Sequence, residues 1–121
     1  MMMETQIQDS SVVGPTGELA PELRSRISQI RALCTRYPVR SLSAFGSAVT
    51  GRFEPGRSDI DLLVEMKDVS PVDYGNAYFS LLGELEEMFT RPVDLVTAAS
   101  LTNPFILSNI EETKVILYDA R

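Results

Sequence analysis

The chain has 121 residues, of which 11 are basic and 17 acidic, giving a net charge of −6 at pH 7. That length suits one domain, and the acidic balance argues against general nucleic-acid binding, which depends on Lys and Arg contacts to phosphate. A single cysteine, Cys34, excludes an internal disulfide, and the lack of histidine excludes His-based triads and zinc sites of the usual kind. Carboxylates are left as the main source of acid, base and metal chemistry.

The N-terminal residues differ in character from the rest. Residues 1–17 end in Gly-Pro-Thr-Gly, and we expect them to be a flexible lead to a single domain over residues 18–121. Their first ten residues, MMMETQIQDS, lack the basic segment and apolar core of a signal peptide. No transmembrane run is found after them, so a cytoplasmic location is expected.

An amphipathic helix is predicted first. Leu19, Leu23, Ile27, Ile30 and Cys34 recur at spacings of three and four. Proline suits the first turn at position 21 and cannot continue a helix at position 38. We therefore expect one helix over residues 21–36.

Strands and helices then alternate. Strands are expected over residues 39–45, 59–65, 91–96 and 115–118, with helices over 47–50, 71–89 and 103–111. Ser70, Pro71 and Asp73 fit the start of the long helix, whose apolar stripe belongs to the core and whose glutamates at 84, 86 and 87 should face solvent. The first two strands are joined too closely for a parallel crossover and should pair antiparallel. The fold class is α/β (α+β), a small mixed, mainly antiparallel sheet flanked by helices.

The stretch over residues 45–64, FGSAVTGRFEPGRSDIDLLV, carries the candidate chemistry. In a strand, Asp59 and Asp61 share one face, opposite Ile60 and Leu62. Two carboxylates so placed repel each other unless a cation lies between them. Mg²⁺ suits such oxygen ligands and usually brings substrate phosphates with it.

Glycine and serine before this pair suggest a phosphate site. Gly46 allows close backbone approach, and Ser47 offers a hydroxyl at the start of a short helix whose N-terminal amides favour anions. Gly51 fits a helix C-cap. Arg52 either clamps a triphosphate or is simply solvated, and Ser58 hydrogen-bonds either phosphates or local backbone; the residues alone favour neither.

A third carboxylate, Asp94, interrupts the apolar run Val93-Asp94-Leu95-Val96. In a strand it points away from Val93 and Leu95. From periodicity alone it is as readily a solvent-facing polar residue, or a cap for the next segment, as a site residue.

Gly46-Ser47, eleven further residues, and then Asp59-x-Asp61 in an apolar strand resemble the nucleotidyltransferase signature of the DNA polymerase beta superfamily. The match is closest to its minimal nucleotidyltransferases, the small branch often encoded beside a HEPN-type protein. The resemblance implies the polymerase-beta-like fold and identifies Asp94 as the third aspartate. It also implies that Asp59, Asp61 and Asp94 bind two Mg²⁺ ions, with ATP or another NTP held by Gly46, Ser47, Arg52 and Ser58.

The implied reaction is transfer of a nucleoside monophosphate to an acceptor hydroxyl. The family further suggests an antitoxin that moves AMP from ATP to a tyrosine of a partner HEPN toxin. Two alternatives stay open: a non-catalytic nucleotide-binding module that neutralises its partner by steric binding, and a transferase acting on a small molecule such as an aminoglycoside.

Overall fold

A computed structural model describes residues 19–50 and 59–120. The predicted N-terminal lead, Gly51 and the predicted turn at residues 54–57 lie outside the described residues. The elements are α1 (Pro21–Arg24), α2 (Ile27–Thr35), β1 (Val39–Phe45), α3 (Ser47–Thr50), β2 (Ile60–Met66), α4 (Pro71–Phe89), β3 (Val93–Thr97), a 3-10 turn (Ala98–Ser100), α5 (Pro104–Thr113) and β4 (Val115–Asp119).

The four strands of the described residues form one sheet in the order β3-β2-β1-β4. β1 pairs antiparallel with β2 and β4, as predicted for its short connection to β2. β2 and β3 pair in parallel, because the 19-residue helix α4 between them supplies the long crossover that parallel strands need. The predicted fold class, a mixed and mainly antiparallel sheet with flanking helices, is confirmed.

The two faces of the sheet carry different side chains. One face, here called the core face, buries alternate residues such as Leu42, Leu62 and Leu95 in the apolar core beneath α1, α2 and α4. The opposite face carries the residues between them. Asp61 on β2 and Asp94 on β3 lie on this opposite face, here called the site face, because side chains alternate along a strand.

Helix α4 has the bounds that the sequence predicts. The Ser70 side chain accepts a hydrogen bond from the Asp73 backbone N–H at 3.2 Å, and Pro71 occupies the first turn. Thr90 ends the helix in the left-handed conformation, with a φ of 53°. The start and end of the crossover helix are therefore fixed by local interactions.

The expectation of one continuous N-terminal helix is wrong. Helix α1 ends at Arg24, and Arg26 leaves the helical region with a φ of −114° and a ψ of 12° before α2 begins. The Ser25 hydroxyl donates to the Glu22 carbonyl at 3.0 Å, and such local side-chain bonds compete with the helical ladder. The apolar spacing continues across the break, which is why periodicity does not detect it.

Two of the three glutamates expected to face solvent make specific contacts. Glu84 accepts hydrogen bonds from Arg36 at 2.7 Å and from the Tyr37 hydroxyl, which ties α4 to the end of α2. Glu86 accepts a hydrogen bond from the Val93 backbone N–H at 3.0 Å. These contacts join α4 to its neighbours in the fold, so the helical pattern by itself does not reveal them. Among the helices of the described residues, none has the length and apolar character to span a membrane.

Candidate active site

Gly46 occupies the corner where β1 ends and α3 begins. Its φ of +68° lies in the left-handed region, which L side chains rarely adopt. A Cβ at this position would lie 2.5 Å from Oδ2 of Asp61 and 3.4 Å from its Cγ. Both the backbone conformation and the neighbouring carboxylate therefore require glycine here.

Asp61 and Asp94 face each other across neighbouring strands. They are paired residues in the parallel β2–β3 ladder, between the pairs Ile60–Val93 and Leu62–Leu95. Paired residues of parallel strands point to the same side of the sheet. Asp94 is thus brought to the Asp61 carboxylate by the register of the sheet, across 33 positions of sequence.

The electrostatic surroundings of Asp61 are unfavourable for its ionised form. The pKa of Asp61 is raised to about 6, most strongly by burial, then by the charges of Asp94 and Asp59, and also by a hydrogen bond between the Asp61 and Asp94 carboxyl groups. Like charges and burial both disfavour a carboxylate. Asp61 is therefore a partly buried carboxylate beside two exposed ones.

Asp59 is exposed and precedes β2, at the first described position after residue 58. Its charge reaches Asp61. Within residues 19–50 and 59–120, none of the ion pairs involves Asp59, Asp61 or Asp94. In that same part of the chain, no three or more acidic, His or Cys side chains form a group that could hold a metal ion as they stand. The facing pair Asp61–Asp94 is the part of the predicted site that the fold assembles.

Of the four residues predicted to bind nucleotide, the structure describes Gly46 and Ser47. Ser47 begins the four-residue helix α3, directly after Gly46. The backbone N–H of Ala20 donates to the Ala48 carbonyl at 2.8 Å, which ties α3 to the start of the N-terminal helices. Arg52 and Ser58, the other two residues predicted to contact nucleotide, lie outside the described residues.

Tyr78 is a residue near the site that the sequence interpretation assigned only to the core stripe of α4. Its ring packs against the core, and its hydroxyl donates to the backbone carbonyl of Leu95, the residue after Asp94. Burial raises the pKa of Tyr78, and the charge of Asp94 raises it further. The detectable signal was the residue type, since a tyrosine whose ring packs against a core usually finds a partner for its hydroxyl.

Comparison with known proteins agrees with this geometry. The nucleotidyltransferase domain model matches residues 27–117. Two proteins of Methanocaldococcus jannaschii, MJ1379 and MJ0128, each named "putative protein adenylyltransferase", are 34% and 35% identical over 82 residues, which cover 68% of this chain and 80% of each relative.

Solved structures support the same fold. One described as a "putative minimal nucleotidyltransferase" superposes with a TM-score of 0.59 at 27% identity, covering 77% of this chain and 90% of that chain. A toxin–antitoxin crystal structure with AMP-PNP superposes with a TM-score of 0.60 at 21% identity, covering 78% and 74%. The resemblance drawn from the sequence is confirmed: this chain belongs to the nucleotidyltransferase domain family and has the fold of the minimal nucleotidyltransferases.

Proposed function

We propose that this chain is an antitoxin that transfers AMP from ATP, in a Mg²⁺-dependent reaction, to a tyrosine hydroxyl of a HEPN-family toxin. The observation that carries the proposal is the facing of Asp61 and Asp94 beside the Gly46 corner. Support for the acceptor comes from the relatives named as protein adenylyltransferases and from the toxin–antitoxin structure with AMP-PNP.

The carboxylates suit a divalent metal by their chemistry. Mg²⁺ prefers oxygen ligands and is commonly bound by one or two carboxylates together with substrate phosphates. The pKa of Asp61 is raised by burial and by two neighbouring carboxylates, so a cation here would relieve a repulsion that the described residues leave uncompensated. We assign Asp59, Asp61 and Asp94 as the residues that would hold the metal, which when bound would offset the negative charge of the reacting phosphates.

The chain's own residues have separate tasks in the proposed reaction. Gly46 and Ser47 bind the β- and γ-phosphates, with Arg52 and Ser58 assigned to the same nucleotide. The acceptor oxygen bonds to the α-phosphorus of ATP while the bond from that phosphorus to the bridging oxygen breaks and pyrophosphate leaves. The hydroxyl proton passes to the Asp94 carboxylate, which is exposed and so accessible to an acceptor. Most of the rate gain in such a site comes from positioning and electrostatics.

The proposal is tested by mixing the chain with a HEPN-family toxin as the proposed partner, in the presence of Mg²⁺ and ATP, and measuring the partner's intact mass. We expect the partner to gain the mass of one or more AMP groups, mapped to a tyrosine. Asp94→Asn should abolish the gain, whereas Asp68→Asn, which changes an exposed loop aspartate, should leave it unchanged.

A different result would contradict the proposed AMP transfer but would keep the assignment as an antitoxin. If the chain suppresses the toxin's activity while the partner's mass stays unchanged with Mg²⁺ and ATP, the chain acts by steric binding alone. If neither mass nor toxin activity changes, the antitoxin assignment is wrong.

A further inference from the structure

The strand that carries Asp94 lies at the edge of the sheet. Within the described part of the chain, β3 pairs with β2 on one side only, so part of its backbone has no strand partner there. Unpaired backbone groups at such an edge need other partners or stay open to solvent. The strand is also short, at five residues, so few ladder bonds hold its register.

Helix α4 supplies partners to β3 on both sides of Asp94. The Glu86 carboxylate accepts from the Val93 N–H at 3.0 Å, and the Tyr78 hydroxyl donates to the Leu95 carbonyl. Residues 93 and 95 thus present backbone groups to α4, while Asp94 between them pairs with Asp61 on β2. Two side chains of α4 therefore form hydrogen bonds with the backbone on either side of Asp94, the candidate catalytic carboxylate.

The Tyr78 side chain has packing contacts besides its hydrogen bond to the Leu95 carbonyl. The Tyr78 ring packs against the core, and the neighbouring Phe79 ring meets it edge-on with centroids 5.2 Å apart. The hydroxyl is near enough to Asp94 for that charge to raise the pKa of Tyr78, after the larger effect of burial. The Tyr78 side chain thus contacts the core, the Phe79 ring and the Leu95 carbonyl.

We propose that Tyr78 is a positioning residue: through its hydrogen bond to the Leu95 carbonyl, it holds β3 in the register that places Asp94 beside Asp61. The importance of that register follows from strand geometry, since a slip of one residue would turn Asp94 to the opposite face of the sheet. The inference depends on the proposed function only for the role of Asp94 in transfer.

The test compares Tyr78→Phe with Tyr37→Phe. Both changes remove one tyrosine hydroxyl whose hydrogen bond joins α4 to another element, but the Tyr37 hydroxyl donates to Glu84 and so joins α4 to the end of α2 rather than to β3. Amide hydrogen exchange is measured on the metal-free protein at Asp94 and Val96, whose backbone groups face β2 because those of Val93 and Leu95 face α4. The kcat and the KM for ATP are measured for AMP transfer to the partner protein with Mg²⁺.

For Tyr78→Phe we expect exchange at the β3 amides to become about tenfold faster, as for the loss of one hydrogen bond. We expect kcat to fall about tenfold or more with KM for ATP within about twofold, because a small displacement of a reacting group costs rate rather than nucleotide binding. Tyr37→Phe should leave the β3 amides and kcat close to wild type even if it lowers the melting temperature.

The inference is overturned if β3 exchange in Tyr78→Phe matches wild type, or if its kcat is no lower than that of Tyr37→Phe. If the wild-type protein itself transfers no AMP, it is the proposed function that fails. The exchange measurement then decides by itself whether Tyr78 holds the strand of Asp94.

Discussion

At the scale of single residues, Gly46 fixes the distance between the β1–α3 corner and Asp61. Its positive φ and the 2.5 Å that would separate an added Cβ from Asp61 Oδ2 are two independent reasons for glycine. Any side chain would have to displace either the corner or the carboxylate. In the proposed function, the corner would set where a bound phosphate lies relative to Asp61.

Gly46→Ala should lower the free energy of unfolding by about 1–2 kcal/mol, because an L residue is strained in the left-handed region. It should also lower AMP transfer at least about tenfold, because the Asp61 carboxylate must move. Urea unfolding and the transfer assay measure the two effects.

The matched control is Gly83→Ala in α4, where a Cβ would meet open space. That change should raise the free energy of unfolding by about 1 kcal/mol, because alanine is the better helix former, and should leave transfer unchanged. Equal transfer by Gly46→Ala and wild type would show that the corner does not set the site.

Asp61 should make the metal-free protein less stable as pH rises. An unfolded aspartate has a pKa of about 3.9, whereas the pKa of Asp61 in the folded chain is raised to about 6. The folded chain therefore keeps a proton that the unfolded chain loses between these values. The stabilisation from this proton is fully present below about pH 4 and is lost as pH rises through 6.

Asp61→Asn should accordingly melt at a higher temperature than wild type at pH 8 in EDTA, by roughly 4 °C or more, and the difference should disappear towards pH 4. The physical reason is removal of a partly buried charge that faces two other carboxylates. Thermal unfolding across pH measures it, with Asp68→Asn as the control that should show no such trend. A lower melting temperature for Asp61→Asn at pH 8 would contradict the electrostatic explanation of the site.

At the scale of elements, α4 connects the two strands that carry the carboxylates. Its first turn is capped by Ser70, and its side chains bind the backbone of β3 at Val93 and Leu95. Thr90 closes it in a left-handed conformation that is costly for a β-branched residue. This strained residue lies four positions before Asp94 and is not part of the Asp61–Asp94 pair.

Thr90→Gly should raise the free energy of unfolding by about 1 kcal/mol, because glycine adopts the left-handed C-terminal position without a Cβ penalty. Chemical denaturation measures the change. Thr113→Gly is the control: Thr113 is the last residue of α5 in ordinary helical backbone, so glycine there should destabilise. If Thr90→Gly were equally destabilising, the left-handed cap would not be a source of strain.

Local patterns were enough to predict most elements. β1 and α4 have the predicted bounds, because a strand beside glycine and a helix between Ser70 and Phe89 are specified by nearby residues. The antiparallel pairing of β1 with β2 could be predicted from the length of their connection. Asp59 and Asp61 could be assigned to one face by alternation alone, which stays a prediction for Asp59.

The features that local sequence patterns did not predict depend on contacts between residues distant in sequence. Nothing near Asp94 in the sequence shows that it pairs with Asp61, and only the family resemblance suggested it. The break between α1 and α2 leaves the apolar spacing intact. The bonds from Glu86 and Tyr78 to β3 arise when the sheet forms, so periodicity could assign these residues only to solvent and to core.

At the scale of the whole molecule, the sheet places the apolar core and the proposed site on opposite faces. Its core face packs against α1, α2 and α4, while its site face presents the carboxylates. In the sheet formed by the described residues, both edge strands receive hydrogen bonds from helix side chains: Tyr78 donates to the Leu95 carbonyl on β3, and Arg31 donates to the Leu117 carbonyl on β4 at 2.9 Å. Edges covered in this way resist pairing with further strands.

The central claim is that Asp61 and Asp94 form one metal–nucleotide site beside Gly46. It is tested most directly by the anomalous diffraction of crystals grown with Mn²⁺, as a substitute for Mg²⁺, and a non-hydrolysable ATP analogue. We predict an anomalous peak at about 2.0–2.3 Å from carboxylate oxygens of both Asp61 and Asp94, with the analogue's phosphates against Gly46 and Ser47. Bound analogue with no peak between these two carboxylates would contradict the claim.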